Sequence, residues 1–115
     1  MQKRESPLKR DETKSGMHPL LFNYMCSVGT RPTKAHQRIE EYTQTLGPDL
    51  AEMCISPDEG QFLKWLISSM GFKRGIEVGV FTGYGTLSLA LGLPSDGRLV
   101  ALDITYEEFP RSSFC

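Results

Sequence analysis

The sequence predicts an α/β fold in which several helices precede one β-α-β unit, and three observations point there. The passage 74–104, RGIEVGVFTGYGTLSLALGLPSDGRLVALDI, reads as strand, glycine-rich turn, helix, loop and strand. An apolar run from Ile76 to Phe81 meets Gly79, Gly83 and Gly85 before an apolar helix, and a second apolar run ends on an acid, Asp103. Upstream, apolar residues recur at helical spacing from His18 to Met70. The 115 residues make room for one domain with a modest core.

Residues 1–16, MQKRESPLKRDETKSG, are charged, contain Pro7 and show no apolar period, so they are expected to form a flexible N-terminal arm. A first helix is predicted from His18 to Val28. Leu20, Leu21, Tyr24, Met25 and Val28 form its apolar side, Pro19 suits its first turn and Gly29 its exit. Thr33 is placed to cap a second helix running to Leu46, with Ala35, Ile39, Tyr42 and Leu46 as its stripe and Gly47-Pro48 as its end. His18 and His36 lack ligand partners at a recurrent spacing and are read as surface or helix-end residues.

The segment Ser56-Pro57-Asp58-Glu59 reads as a helix start with Ser56 as N-cap and Glu59 completing a capping box. Phe62, Leu63, Trp65, Leu66, Ile67 and Met70 then give a broad apolar face, with Trp65 expected in the core and Gly71 as the stop. Asp58 and Glu59 point about 100° apart on a helix, so they do not form an acid/base pair.

Thirteen Lys+Arg against fourteen Asp+Glu give a formal net charge of -1, which offers no long-range field for nucleic acid or an anionic membrane. Cys26, Cys54 and Cys115 are odd in number and widely spaced, fitting neither a disulfide framework nor paired zinc ligands. With no secretory signal and no apolar run near the roughly 20 residues that span a bilayer, a soluble, cytoplasmic protein is expected.

The chemistry is expected at the glycine-rich turn. Its glycines let a ligand approach the backbone, and the next helix presents free N–H groups at its start. Asp103 follows Gly83 by 20 residues, which suits a carboxylate accepting from ribose hydroxyls. Gly79 and Gly83 are separated by Val80, Phe81 and Thr82, so the G-x-G-x-x-G pattern for a pyrophosphate is absent. Glu77 beside the turn would also repel a pyrophosphate. S-adenosylmethionine brings an ammonium and a sulfonium, and its one carboxylate can take the N–H groups of the turn. The charge pattern therefore favours S-adenosylmethionine over a nicotinamide or flavin cofactor.

The stretch from Ser56 to Ile104 resembles the caffeoyl-coenzyme A O-methyltransferase family, within the wider group that includes catechol O-methyltransferase. Asp58-Glu59-Gly60-Gln61-Phe62-Leu63 is similar to that family's D-E-G-Q-F-L, and Glu77-Val78-Gly79-Val80-Phe81-Thr82-Gly83-Tyr84 to its E-[IV]-G-V-F-T-G-Y. The resemblance implies a Rossmann-like methyltransferase fold, here truncated, with 17–104 as the N-terminal half of the domain. It also implies that Met53, Glu77, Gly79, Val80, Gly85 and Asp103 line the cofactor site, Met53 at the methionine end and Asp103 on the ribose. Gly85 and Ile55 depart from the family, which commonly has Ser or Thr at the first and Thr near the second.

The resemblance further implies a hydroxylated aromatic acceptor of catechol or caffeoyl-coenzyme A type and a divalent cation, Mg²⁺, whose ligands lie on later strands outside this chain. No catalytic or metal-binding residue is assigned within it. Thr105 to Cys115 departs from the family, and this divergent tail at 105–115 is read as a product of truncation, alternative splicing or a gene-model error. The chain is accordingly expected to be catalytically incomplete. A non-catalytic module docking through its N-terminal helices on a full-length partner is the other reading. Exposed faces of the first two helices favour a homodimer.

Overall fold

A computed structural model describes residues 16–105, 107 and 108. The expected arm, apart from Gly16, and most of the divergent tail lie outside the described residues.

Helix α1 spans Pro19–Gly29, and His18 caps it by accepting the Leu20 N–H on Nδ1 at 3.2 Å. Helix α2 spans Lys34–Thr45 behind the N-cap Thr33, whose hydroxyl accepts from the His36 N–H. A short α3, Pro48–Ala51, follows where the sequence suggested only a helix end. Pro48 sits in its first turn, a position that tolerates proline because no N–H is needed there.

Helix α4 runs Pro57–Met70 and ends at Gly71, which takes left-handed φ 66°. Ser56 holds the N-cap position, but its side chain makes no capping bond, so the expected capping box with Glu59 does not form. The acids Asp58 and Glu59 in the first turn still favour the helix through its dipole.

Strands β1 (Arg74–Val78) and β2 (Arg98–Leu102) pair in parallel, with Arg74 opposite Arg98 and Val78 opposite Leu102. Helix α5, Tyr84–Gly92, is the crossover between them. The apolar run continues to Phe81, but the strand stops at Val78 because Gly79 turns to φ 94° and breaks the extended backbone. The result is the first β-α-β unit of a Rossmann-like sheet, led by helices.

The core lies where α4 and α5 pack, with α2 closing against α5 and α1 against α4. Its apolar centre is Ile39, Ile67, Val80 and Tyr84. Gly60 lets α4 approach α5: a Cβ there would stand 2.7 Å from Ser88 Oγ and 2.8 Å from Tyr84 Cε1.

Two apolar stripes differ from expectation. On α2 the fully buried positions are His36, Ile39 and Thr43, so the buried face includes two polar residues. On α4 only Gly60 and Ile67 are buried, while Phe62 and Trp65 stay more than half exposed with ring centroids 5.9 Å apart. Trp65 is therefore a surface residue among the described elements, because neither α5 nor α1 covers its side of α4.

Candidate functional site

The glycine-rich turn sits at the C-terminal edge of the two parallel strands, the usual place for a ligand in an open α/β sheet. Asp103 follows β2 directly and organises the turn. Its Oδ2 accepts the N–H groups of Val80 at 2.6 Å and Phe81 at 2.8 Å, while Oδ1 accepts the N–H of Ile104 at 2.7 Å. The amide bonds from Phe81 and Val80 hold the Asp103 carboxyl below the usual carboxylate range. Phe81 meanwhile adopts φ 50°, a left-handed conformation uncommon outside glycine, and the Asp103 bond to its amide keeps it there.

This arrangement revises one part of the expected chemistry. The N–H groups of Val80 and Phe81, expected to be open to a ligand carboxylate, are taken by the protein's own carboxylate. Val80 turns its side chain into the core and offers only backbone to the site. Asp103 Oδ1 also accepts the Thr105 N–H at 3.5 Å, so of the carboxylate's roughly four lone-pair sites this long bond is the one that a ligand hydroxyl would most easily replace.

Glu77 projects from β1 onto the first turn of α5. Its Oε2 accepts the Thr86 hydroxyl at 2.5 Å, and its Oε1 lies 2.6 Å from where a Cβ on Gly85 would be. Gly85 thus makes room for Glu77, and a larger residue would displace the carboxylate or the nearby Ile55 side chain. Burial raises the Glu77 pKa, the Thr86 bond opposes that shift, and the negative charge of Asp103 adds to it. Two carboxylates therefore share this edge of the sheet, with no basic side chain paired to either among the described residues.

The segment before α4 closes the site from below. Ile55 Cδ1 reaches within 3.5 Å of the Gly85 Cβ position, and Cys54 Sγ lies 4.0 Å from Thr82 Oγ1. Met53 is exposed and lines an open cleft of about 440 Å³ with Cys54, Ile55 and Ser56. At Gly79 a Cβ would meet nothing within 4 Å, so space above the turn is open on that side. Glu77, Gly79, Gly85 and Asp103 thus lie at the turn, the Val80 side chain does not, and Met53 lines a cleft whose walls include no residue of the turn.

Sequence reasoning missed the residues that hold this turn in place. Thr82 is fully buried, and its Oγ1 lies 2.8 Å from Thr43 Oγ1, which in turn is 2.7 Å from the Ile39 carbonyl oxygen. A threonine four residues after Ile39, in line with the buried stripe, was the available signal. Thr86, nine residues after Glu77 and inside the first helical turn, was another.

His36 lies in the first turn of α2, as the helix-end reading had it, but is buried rather than on the surface. Its Nδ1 faces the Thr33 hydroxyl at 2.9 Å and accepts the Thr33 N–H at 3.3 Å, which assigns the proton to Nε2. Nε2–H then donates to Ser88 Oγ at 3.0 Å, and Ser88 donates to the Tyr84 carbonyl at 2.9 Å. The serine proton points away from the imidazole, so the pair is no activated nucleophile. Burial, aided by the charge of Lys64, lowers the His36 pKa and keeps the ring neutral. Tyr84, whose ring lies tilted against His36 with centroids 4.7 Å apart, is pushed up to about 12 by burial and by Glu40.

Residues 30–111 match the family model described as O-methyltransferase. The chain belongs to the O-methyltransferase family. A putative caffeoyl-CoA O-methyltransferase of Arabidopsis thaliana is 51% identical over 93 residues, covering 77% of this chain and 39% of that protein. Caffeoyl-CoA O-methyltransferase 1 of Zea mays is 38% identical over 89 residues, covering 77% and 34%.

Among solved structures, the O-methyltransferase of Bacillus cereus in complex with SAH superposes with TM-score 0.68 at 27% identity, covering 77% of this chain and 40% of that one. The O-methyltransferase TomG of Streptomyces achromogenes, in complex with SAM, gives TM-score 0.64 at 29% identity, covering 71% and 36%. The chain spans between a third and two fifths of the length of these relatives. Both the resemblance and the Rossmann-like fold expected from the sequence hold.

Among the described residues no group of three or more His, Cys, Asp or Glu side chains is placed to hold a metal ion, and no helix is long and apolar enough to cross a membrane.

Proposed function

We propose that this chain carries the methyl-donor half of an S-adenosylmethionine-dependent O-methyltransferase site. The observation that supports this reading is the pair of carboxylates, Glu77 and Asp103, fixed on either strand end beside a glycine turn that lacks a basic partner. Such a site repels pyrophosphate and suits a ligand carrying positive charge. The donor set therefore fits S-adenosylmethionine, which when bound supplies an electrophilic methyl group on a sulfonium centre. Structural relatives in complex with SAM or SAH support the same choice.

In this reading Asp103 accepts from the ribose hydroxyls on Oδ1, in place of its long bond from Thr105, while Oδ2 still holds the turn. Glu77, locked by Thr86 and given room by Gly85, presents negative charge to the cationic end. Gly79 gives close access to the backbone, the Val80 main chain forms the wall, and Met53 covers the methionine end. The names of the relatives suggest a hydroxylated aromatic acceptor of caffeoyl-coenzyme A type. A divalent cation is implied by the resemblance, but the described residues do not fit one, so no step is assigned to it. A cytoplasmic chain without nucleic-acid or membrane partners, and catalytically incomplete by itself, completes the proposal.

Calorimetric titration tests it: S-adenosylhomocysteine is expected to bind and NAD is not. Binding of NAD alone would overturn the reading. Methyl transfer to a catechol acceptor with Mg²⁺ is expected to be absent, and measurable turnover would refute the incomplete-site part. The second reading, a non-catalytic module that docks through its N-terminal helices on a full-length partner, is favoured by the exposed Leu20, Leu21, Tyr24 and Val28 of α1 and predicts binding of neither ligand.

A further inference from the structure

The start of α5 lacks a negative charge of its own, although a helix N-terminus favours one. Its N-cap is Gly83, which has no side chain to cap with, and its first turn holds no acid. Glu77 brings that charge from the neighbouring strand, its Oε2 accepting the Thr86 hydroxyl at 2.5 Å. Its Oε1 fills the space that a side chain on Gly85 would need, so the bare position at 85 and the hydroxyl at 86 together fix one place for the carboxylate. Among the described residues no other side chain donates to Glu77.

The hydroxyl of a helical threonine or serine commonly turns back to a carbonyl one turn earlier. Thr43 and Ser88 do so, bonding to the Ile39 and Tyr84 carbonyls. Thr86 turns to Glu77 instead. We propose that Thr86 is a positioning residue of the methyl-donor site: acting through Glu77, its hydroxyl holds the carboxylate where the charged amino-acid end of the donor is recognised. The inference rests on the donor-site reading above and adds the residue on which recognition of that end depends.

A hydroxyl that donates to a carboxylate also favours its ionised form. At Glu77, burial and the Asp103 carboxylate after β2 favour the neutral acid, and the Thr86 bond and the start of α5 oppose them. Of the elements around it, α5 brings Thr86 and Gly85, the segment before α4 brings the Ile55 side chain, and β2 sets Ala101 opposite Glu77. Asp103 is the charged group that bears on it. Without the hydroxyl the carboxylate is free to swing and to take up a proton, and both changes loosen its hold on a cationic ligand.

Calorimetric titration of the 115-residue chain with S-adenosylhomocysteine and with methylthioadenosine separates this role from a structural one. The two ligands share the adenosine, and only the first carries the charged amino-acid end. Thr86→Val is expected to weaken S-adenosylhomocysteine by about tenfold or more, the scale of a hydrogen bond to a charged group, while methylthioadenosine stays within about twofold. Thr86→Ser should restore most of the loss. In a Glu77→Gln chain, Thr86→Val should add nothing further, as acting through Glu77 requires. Carbon-13 NMR of the Glu77 carboxyl in the unliganded chain gives an independent readout: its titration should move to higher pH in Thr86→Val and return in Thr86→Ser. An unchanged Glu77 titration, or equal losses for the two ligands, would overturn the role of Thr86 and leave the donor site standing. A wild-type chain that binds neither ligand would overturn the donor site and the role of Thr86 with it.

Discussion

The two faces of the β1–β2 sheet come from the same two five-residue strands and meet opposite surroundings. Gly75, Glu77, Leu99 and Ala101 lie on the half-buried face, whereas Ile76, Val78, Val100 and Leu102 lie on the open one. A one-sided sheet would place its carboxylate outside and its branched apolar residues inside. Here the order is reversed. The difference is that the helix-covered side carries a carboxylate beside a helix start, whereas the other carries branched apolar residues that no element among the described residues covers.

Substitutions on the two sides should therefore differ most in their effect on the stability of the protomer. Tyr84→Ala, which removes the ring that fills the place where α5 meets α4 and packs edgewise on His36, is expected to lower unfolding free energy by about 3–5 kcal/mol in urea titration. Thr43→Val removes the hydroxyl that holds Thr82, at a cost of about 1–3 kcal/mol. It should weaken S-adenosylhomocysteine binding as well, and Thr43→Ser should recover part of both.

A smaller effect is expected from pH. The His36 pKa lies below its unfolded value of 6.5, so between the two values the unfolded chain binds more protons than the folded one. Stability should therefore fall as pH drops through 6.5, and His36→Gln should flatten that slope. Glu77, with its pKa raised, contributes in the opposite sense, its stabilisation being lost as pH rises through the raised value. The smallest effect belongs to the open face: Val78→Thr should change protomer stability by no more than about 0.5 kcal/mol. A large loss there in the monomer would mean that the face is covered within the protomer.

Much of this was legible in the residues. Pro19, Thr33, Pro57 and Gly71 marked helix ends that the structure keeps, because caps and stops are local. The β-α-β unit followed from two apolar runs around glycines, and Asp103 was found by its distance from the turn. Its partners were not, since bonds to Val80 and Phe81 across more than twenty residues depend on how two strands register. The burial of His36 and Thr43 was not legible, because it depends on α2 meeting α5, which no helical period reveals. Trp65 misled in the other direction: a periodic apolar face predicts burial only if another element arrives to cover it.

The bonds from Asp103 to the turn also tie together two events in time. The Val80 and Phe81 amides have their acceptor on the residue after β2, so they gain protection from hydrogen exchange only once β2 has docked on β1. Local opening of the turn and departure of the second strand are then a single cooperative step, and the two amides should exchange at the rate of the β2 ladder, not at that of a loop.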